Sequence, residues 1–298
     1  MTSILTVGVA VIDFVFRVDD MPKPAEKTRA RDAAVVGGGC AANAAVAISR
    51  LGGTAHLAAR VGQDMVGDMI VSGLRDEGVD CSLVRRFENR RSSYSSVVVD
   101  RHGERMIVNY RDETLDFGAA WLASSDLPKF DAVLADTRWP EGARVAMEKA
   151  RERGAPGILD AEPPVREAQA ALGVASHIAF GQKGLTDLTG ENDVETALRA
   201  AAAETGAWVC VTLGEKGVTW LEGDGVAHMP SFPVKAIDTL GAGDVWHGAF
   251  ALKLGEGSGE REAIRFANAV AALKCTRFGG RAGAPRYEEV EALLVEQI

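Results

Sequence analysis

Short apolar runs rich in Val, Ile and Ala recur along this 298-residue chain with helix-forming stretches between them. That alternation constrains the fold more than any other feature. Repeated strand-helix units build a parallel sheet covered by helices on both faces, which predicts an α/β chain with a mostly parallel central sheet. Strands are expected at 4–12, 54–59, 132–135, 157–159, 178–180 and 208–212. Helices are expected at 44–51, 66–77, 142–153, 165–172, 194–204, 245–254 and 263–274. The run 4–12 is too short for a buried helix and rich in β-branched residues, so it reads as a central strand ending at Asp13. An acid at that end points into the crevice where open α/β sheets bind ligands; its lesser reading is a helix or turn cap. Two stretches depart from the pattern. Segments 14–18 and 27–36 flank the turn Met21-Pro-Lys-Pro24, and 92–100 with 104–111 form a hairpin about His102-Gly103. Their polar-apolar alternation predicts a small sheet outside the main one, read as a lid. The organisation expected is a single domain over 1–298 with a discontinuous β lid from about 14–36 and 92–110.

The stretch with the clearest chemistry is Asp238-Thr-Leu-Gly-Ala-Gly-Asp244, which runs into the apolar segment 245–254. Gly241 and Gly243 allow turn conformations in which successive amides face one anion, at the start of a helix. A carboxylate at Asp244 opposes an anion in such a nest. It makes sense as a base that takes a proton from a hydroxyl attacking a phosphate. An acid in a first helical turn is also favoured by the helix dipole without any chemistry.

Composition narrows the classes. With 47% hydrophobic residues the chain can bury a full core, and a net charge of -9 offers no electrostatic footprint for nucleic acid or an anionic membrane. The cysteines Cys40, Cys81, Cys210 and Cys275 lack metal-ligand spacing, so reduced thiols and a cytoplasmic location are expected. The N-terminal run lacks a basic leader, and no run approaches the roughly 20 apolar residues of a membrane span.

Gly37-Gly-Gly-Cys-Ala-Ala-Asn43 opens a small-residue helix. It satisfies the dinucleotide fingerprint Gly-x-Gly-x-x-Ala, but that unit wants an acid about 20 residues on. No Asp or Glu lies between Gly39 and Asp64. Gly38-Gly39-x-x-x-Asn43 and Asp238 to Asp244 together resemble the two signatures of the ribokinase, or PfkB, family of carbohydrate kinases, and the resemblance covers nearly the whole chain. It implies a ribokinase-like three-layer α/β/α fold with a small β-sheet lid. Asp244 would then be the base, the amides from Gly241, Ala242 and Gly243 to Asp244 the anion hole, and Gly38, Gly39, Asn43 and Asp13 sugar contacts. ATP contacts are implied at Thr212, Gly214, Gly217, Asn268, Gly279 and Gly280. ATP is the implied phosphoryl donor, with Mg2+ expected because unshielded phosphates repel the attacking oxygen, and a homodimer through the lid is expected because an exposed lid sheet often pairs with its twin. Many members carry Asn-x-x-Glu before a Thr-Gly pair; measured back from Thr189-Gly190, those positions are Gly181 and Gly184. The metal ligands therefore stay open.

One branch is closer than the others. Leu134-Ala-Asp-Thr-Arg-Trp139, Ile107-Val-Asn-Tyr110 and Gly279-Gly-Arg-Ala-Gly283 resemble bacterial sulfofructose kinases, and secondarily ketohexokinases. That branch implies a sulfonate clamp at Lys27, Asn109 and Arg138. A kinase of an uncharged sugar shares every catalytic feature. A sugar sensor without turnover and a dinucleotide oxidoreductase are the alternatives from other classes.

Overall fold

The computed structural model describes residues 1–115 and 118–296. The strands are β1 (Ser3–Gly8), β2 (Val11–Arg17), β3 (Asp32–Gly38), β4 (Thr54–Gly62), β5 (Val84–Phe87), β6 (Tyr94–Val99), β7 (Arg105–Tyr110), β8 (Ala132–Asp136), β9 (Gly157–Ala161), β10 (His177–Gly181), β11 (Trp208–Thr212), β12 (Val218–Glu222) and β13 (Gly225–Met229). The helices are α1 (Cys40–Arg50), α2 (Met65–Arg75), α3 (Ala120–Ser124), α4 (Pro140–Glu152), α5 (Gln169–Leu172), α6 (Gln182–Thr189), α7 (Val194–Thr205), α8 (Ala242–Gly255), α9 (Glu260–Cys275) and α10 (Tyr287–Glu296).

Nine strands form one sheet in the order β13-β12-β11-β10-β9-β8-β1-β4-β5. All pairs from β5 to β11 are parallel. The last two strands run antiparallel, because the turn Gly214–Lys216 between β11 and β12 is far too short for a crossover. Side chains alternate strictly between two cores. Ile4, Leu134, Ile158, Ala179 and Cys210 pack with α1, α8 and α9, while Leu5, Val133, Leu159, Phe180 and Val211 pack with α4 and α7 on the other face. This is the doubly covered sheet expected from the alternation.

The expected strand 4–12 divides in two. β1 stops at Gly8, where a Cβ would lie 2.1 Å from the Asp136 carboxylate. Val9 then donates its amide to Asp136 Oδ2 at 2.8 Å, and a Cβ on Gly39, whose φ is 95°, would lie 2.4 Å from the Val9 carbonyl. The chain slips past the start of α1 and leaves the sheet. Asp13 therefore stands on β2, in the second sheet, and not at the end of a central strand.

That second sheet has the order β3-β2-β6-β7 and shares no pairing with the first. Its β2 and β6 are parallel, an arrangement possible because the intervening chain returns through α1, β4, α2 and β5. The strands of this second sheet are thus drawn from two separate stretches of sequence. Its inner face carries Asp13, Val15, Ser95, Val97 and Asn109. Its outer face exposes Phe16, Val35, Tyr94, Met106 and Val108. Lys27, expected on a lid strand, lies instead in the exposed loop joining β2 to β3. Among the described residues no helix is long and apolar enough to cross a membrane.

Candidate active site

Sheet order reverses direction at β1, whose neighbours β4 and β8 are reached by opposite routes along the chain. Ligand crevices open at such a point, outside the carboxyl ends of the strands. Here that crevice is lined by the starts of α1 and α8 and the ends of β8, β9 and β10. The inner face of the lid covers it.

Gly241 caps α8 with a φ of 74°, a left-handed conformation that glycine adopts at little cost. The helix's own ladder begins with the Val245 amide on the Gly241 carbonyl at 3.0 Å, so the Gly243 and Asp244 amides precede it and face outward. Ala242 differs from expectation: its amide closes the turn on the Thr239 carbonyl at 3.2 Å. The amides of this turn that lie outside both bonds are therefore those of Gly243 and Asp244.

Asp244 Oδ2 accepts a hydrogen bond from Asn43 Nδ2 at 2.6 Å, across 201 residues of sequence. The Cys40 thiol donates to the same carboxylate. Burial raises the Asp244 carboxyl above the usual range, and these two bonds with the charges of Arg138 and Lys274 partly offset it. A carboxyl raised in this way is better matched to proton exchange near neutral pH than a free aspartate. Asn43 Oδ1 is buried and accepts no hydrogen bond among the described residues.

Asp13 reaches the site from the lid. It bonds Ser95, which pairs in register with Asn109, so the three residues form one row across β2, β6 and β7. Burial and the charge of Asp244 raise Asp13, while Ser95 and Arg281 act in the other direction. Gly38 is required by this packing, since a Cβ there would lie 2.4 Å from Asp13 Oδ2.

Arg138 follows β8 and donates Nη1 to the Pro163 carbonyl at 2.6 Å. The Arg111 guanidinium, just past β7, bonds the Arg138 carbonyl at 3.2 Å and ties the lid margin to this loop. Asn109, two residues earlier, is thereby brought toward Arg138. Lys27 is not brought to either by any contact among the described residues.

Sequence reasoning passed over several groups that the fold collects here. Asp136 is buried at the end of β8 and accepts from the amides of Val9, Ala41 and Arg138 at 2.8, 3.1 and 2.9 Å, which locks the start of α1. Asp160 at the end of β9 is 4% exposed; burial first, then the charges of Asp244, Glu162 and Asp136, pushes its carboxyl well up. Glu162 follows it and is likewise raised by burial. His247 lies 3.5 Å from Asp160, and burial pulls its imidazole down to about 4, so it is neutral at neutral pH. A signal existed for Asp136 and Asp160, since each ends an apolar strand run.

The positions expected to contact nucleotide fare unevenly. Thr212 ends β11 beside Gly214, in the turn facing the crevice. Gly217 serves the fold: a Cβ there would lie 2.0 Å from the Met229 carbonyl. Asn268 also departs from expectation, because its amide is spent between Trp246 Nε1 at 2.8 Å and the Pro230 carbonyl at 3.2 Å. Gly279 and Gly280 donate their amides to Asp238 Oδ2 at 3.0 and 3.2 Å.

Asp238 is a junction. It also accepts from Leu240 N at 2.9 Å and pairs with Arg105 of the lid at 3.1 Å. The fully buried Lys274 donates to its main-chain carbonyl at 2.8 Å and lies 3.5 Å from Oδ2. Burial pushes the Asp238 carboxyl up, but these donors outweigh it and hold the group below the usual carboxylate range. One side chain thus fixes the turn before the anion hole, the glycine loop and the lid. A cavity of about 590 Å³ runs between lid and turn, lined by Val15, Arg17, Val97, Leu240 and Phe278.

For magnesium, the two glycine positions leave no room for ligands. A Cβ at Gly181 would lie 2.3 Å from Glu162 Oε1, and one at Gly184 would lie 2.0 Å from the Ala161 carbonyl. The Glu162 carboxylate occupies that space, so a hard anionic oxygen donor of the kind magnesium prefers is present there.

Comparison with known proteins agrees with this geometry. The family model described as pfkB family carbohydrate kinase matches residues 1–286. Ribokinase of Bacillus subtilis (strain 168) is 31% identical over 297 residues, covering 99% of this chain and 100% of the relative. Fructokinase-1 of Zea mays is 31% identical over 289 residues, with 86% and 88% covered. A solved structure from Agrobacterium tumefaciens, provisionally assigned as a ribokinase, is 38% identical with a TM-score of 0.91 and covers 99% of this chain and 98% of its own. The aspartate in the glycine-capped first turn of α8, the mixed sheet with its separate lid and these likenesses agree: the chain belongs to the pfkB family of carbohydrate kinases, as an ATP-dependent sugar kinase of ribokinase-like fold.

Proposed function

We propose that this kinase phosphorylates the C1 hydroxyl of a ketose bearing an anion at its far end, 6-deoxy-6-sulfofructose, giving the 1-phosphate and ADP. The observation that carries the reading is Arg138, a guanidinium held at the carboxyl end of β8 and joined by Arg111 to the lid strand that bears Asn109. Arginine's planar fork matches a sulfonate, and an amide donor opposite it completes a clamp for a monoanion.

In this mechanism Asp13 and Asn43 Oδ1 orient the sugar hydroxyls. Asp244 takes the C1 proton as that oxygen attacks the γ-phosphorus, and the bond to the bridging oxygen breaks, its electron pair leaving on ADP. The Gly243 and Asp244 amides receive charge on the transferring group. Asn43 Nδ2 fixes the Asp244 carboxylate at 2.6 Å, so little reorganisation is needed. Glu162 is the residue that would hold magnesium, which would supply shielding of the phosphate charge. Arg105 on Asp238 couples lid position to the anion hole, so closure over the sugar and formation of the hole go together.

A second reading is favoured by a specific observation. Lys27 stands in the exposed loop, and Arg138 already faces Asp136, Asp160, Glu162 and Asp244. A site with its cation so engaged suits an uncharged pentose or ketose. Coupled ADP release across sulfofructose, fructose, ribose and sugar phosphates separates the two. Highest kcat/KM on sulfofructose supports the clamp; highest kcat/KM on fructose or ribose removes it and leaves the neutral-sugar kinase.

The same reading includes a homodimer through the lid, in the cytoplasm. The outer lid face leaves Val35 53%, Met106 42% and Val108 64% exposed, an apolar strip suited to a second copy of the same sheet. Free cysteines at all four positions fit a reducing compartment. Light scattering of wild type against Val108→Glu decides the assembly: a monomer in both sinks it.

A further inference from the structure

We infer that the floor of the active site is a binding site for a thiophilic divalent cation of the zinc class, formed by Cys40, Asp160 and Asp244. One ligand atom from each lies within 4.8 Å of the other two. The residues come from the start of α1, the end of β9 and the start of α8, so only the tertiary fold assembles them. Zinc bonds of about 2.0–2.3 Å put the donors of a tetrahedral site at most about 3.8 Å apart, and small side-chain rotations close that gap.

An independent observation points the same way. Asp160 is 4% exposed, its Oδ1 accepts no hydrogen bond among the described residues, and His247 stands 3.5 Å from its Oδ2. Asp136 next to it is satisfied by backbone amides, and Arg138 is engaged on the Pro163 carbonyl. The carboxylate of Asp160 is therefore the undersatisfied group of the cluster. A thiolate with two carboxylates selects zinc, cobalt or cadmium over magnesium, which prefers oxygen donors and keeps its water.

Occupation would tie up Asp244. The site is thus inhibitory: zinc and sugar compete for the same floor, and zinc stops phosphoryl transfer by removing the base. The binding part stands whatever sugar is phosphorylated; the inhibition part rests on Asp244 as the base.

Cobalt is the probe because its thiolate charge-transfer band in the near ultraviolet reports sulfur ligation without any substrate. Titration of the metal-free protein with Co2+ is expected to raise that band to one equivalent, and Zn2+ to displace it. Cys40→Ser removes the band, while Asp160→Asn weakens Co2+ binding by roughly 10- to 100-fold, as ligand-shell changes do. Both variants are checked for an unchanged thermal transition. With MgATP present, Zn2+ inhibits wild type, raised sugar relieves it, and inhibition by Zn2+ weakens by a similar factor in Asp160→Asn. Absence of a band in wild type overturns the site. A band that persists in Cys40→Ser assigns the metal to another cysteine and overturns it equally. Cobalt binding without zinc inhibition keeps the site and removes its inhibitory role.

Discussion

The junction at Asp238 predicts an asymmetry between two partners of one ion pair. Replacing Asp238 with Ala leaves the Lys274 ammonium, 0% exposed, with only the main-chain carbonyl at 2.8 Å as an acceptor. It also orphans the amides of Leu240, Gly279 and Gly280. Breaking a buried pair in this sense costs about 3–5 kcal/mol. Replacing Lys274 with Met is different. It removes one hydrogen bond worth about 1.5–3 kcal/mol, but the ammonium no longer has to be stripped of water, a gain of comparable size. The Asp238 carboxylate keeps its three amides and Arg105. The expected loss is at most about 2 kcal/mol.

Urea unfolding near pH 7.5 measures both. The Asp238 carboxyl titrates below its unfolded value, so its contribution is complete above that value and is lost only as pH falls through the folded one. The difference between wild type and Asp238→Ala is therefore flat from about pH 5 to 8. Equal losses in the two variants, or a difference that varies across that window, would refute the reasoning. Because the same carboxylate positions Leu240 ahead of the anion hole, Asp238→Ala also lowers kcat, whereas Lys274→Met lowers it less.

Four further outcomes are expected. Asp244→Asn keeps shape without basicity, so turnover falls by roughly 10² to 10⁴ while ATP binding, measured calorimetrically, persists. The acid limb of kcat/KM lies above the ordinary aspartate value of 3.8 because Asp244 is raised by burial, and Asn43→Ala, which removes a bond that lowers it, moves that limb to higher pH; a limb that stays still excludes the Asn43 bond as a tuning contact. Glu162→Gln raises the Mg2+ concentration needed for half-maximal rate and weakens Mn2+ binding seen by paramagnetic relaxation; an unchanged Mn2+ affinity excludes Glu162 as the holder. Arg138→Met loses about 1.5–3 kcal/mol of charged hydrogen bonding, roughly 10- to 100-fold in kcat/KM on sulfofructose, with little change on fructose; equal loss on both sugars removes the clamp.

The sequence by itself determined what depends on neighbours along the chain. Short continuous apolar runs, separated by helical stretches, imposed the parallel sheet covered on both faces, because such runs must be hidden on both sides. The left-handed turn at Gly241 and the acid three residues later are local, so the glycine turn opening a helix with an acid in its first turn was legible in the order of residues alone. The lid was legible too, since its strands alternate where the core strands do not. Only tertiary structure decided where the first strand ends, because the cause is Asp136, lying more than 120 residues away and pressed against Gly8. The same holds for Asn43 on Asp244, for Lys274 under Asp238 and for Glu162 in the space beside Gly181. Each is a contact between chain segments joined by nothing but the packing of the sheet and its helices, and side chains that meet that way leave no mark in local propensity or spacing.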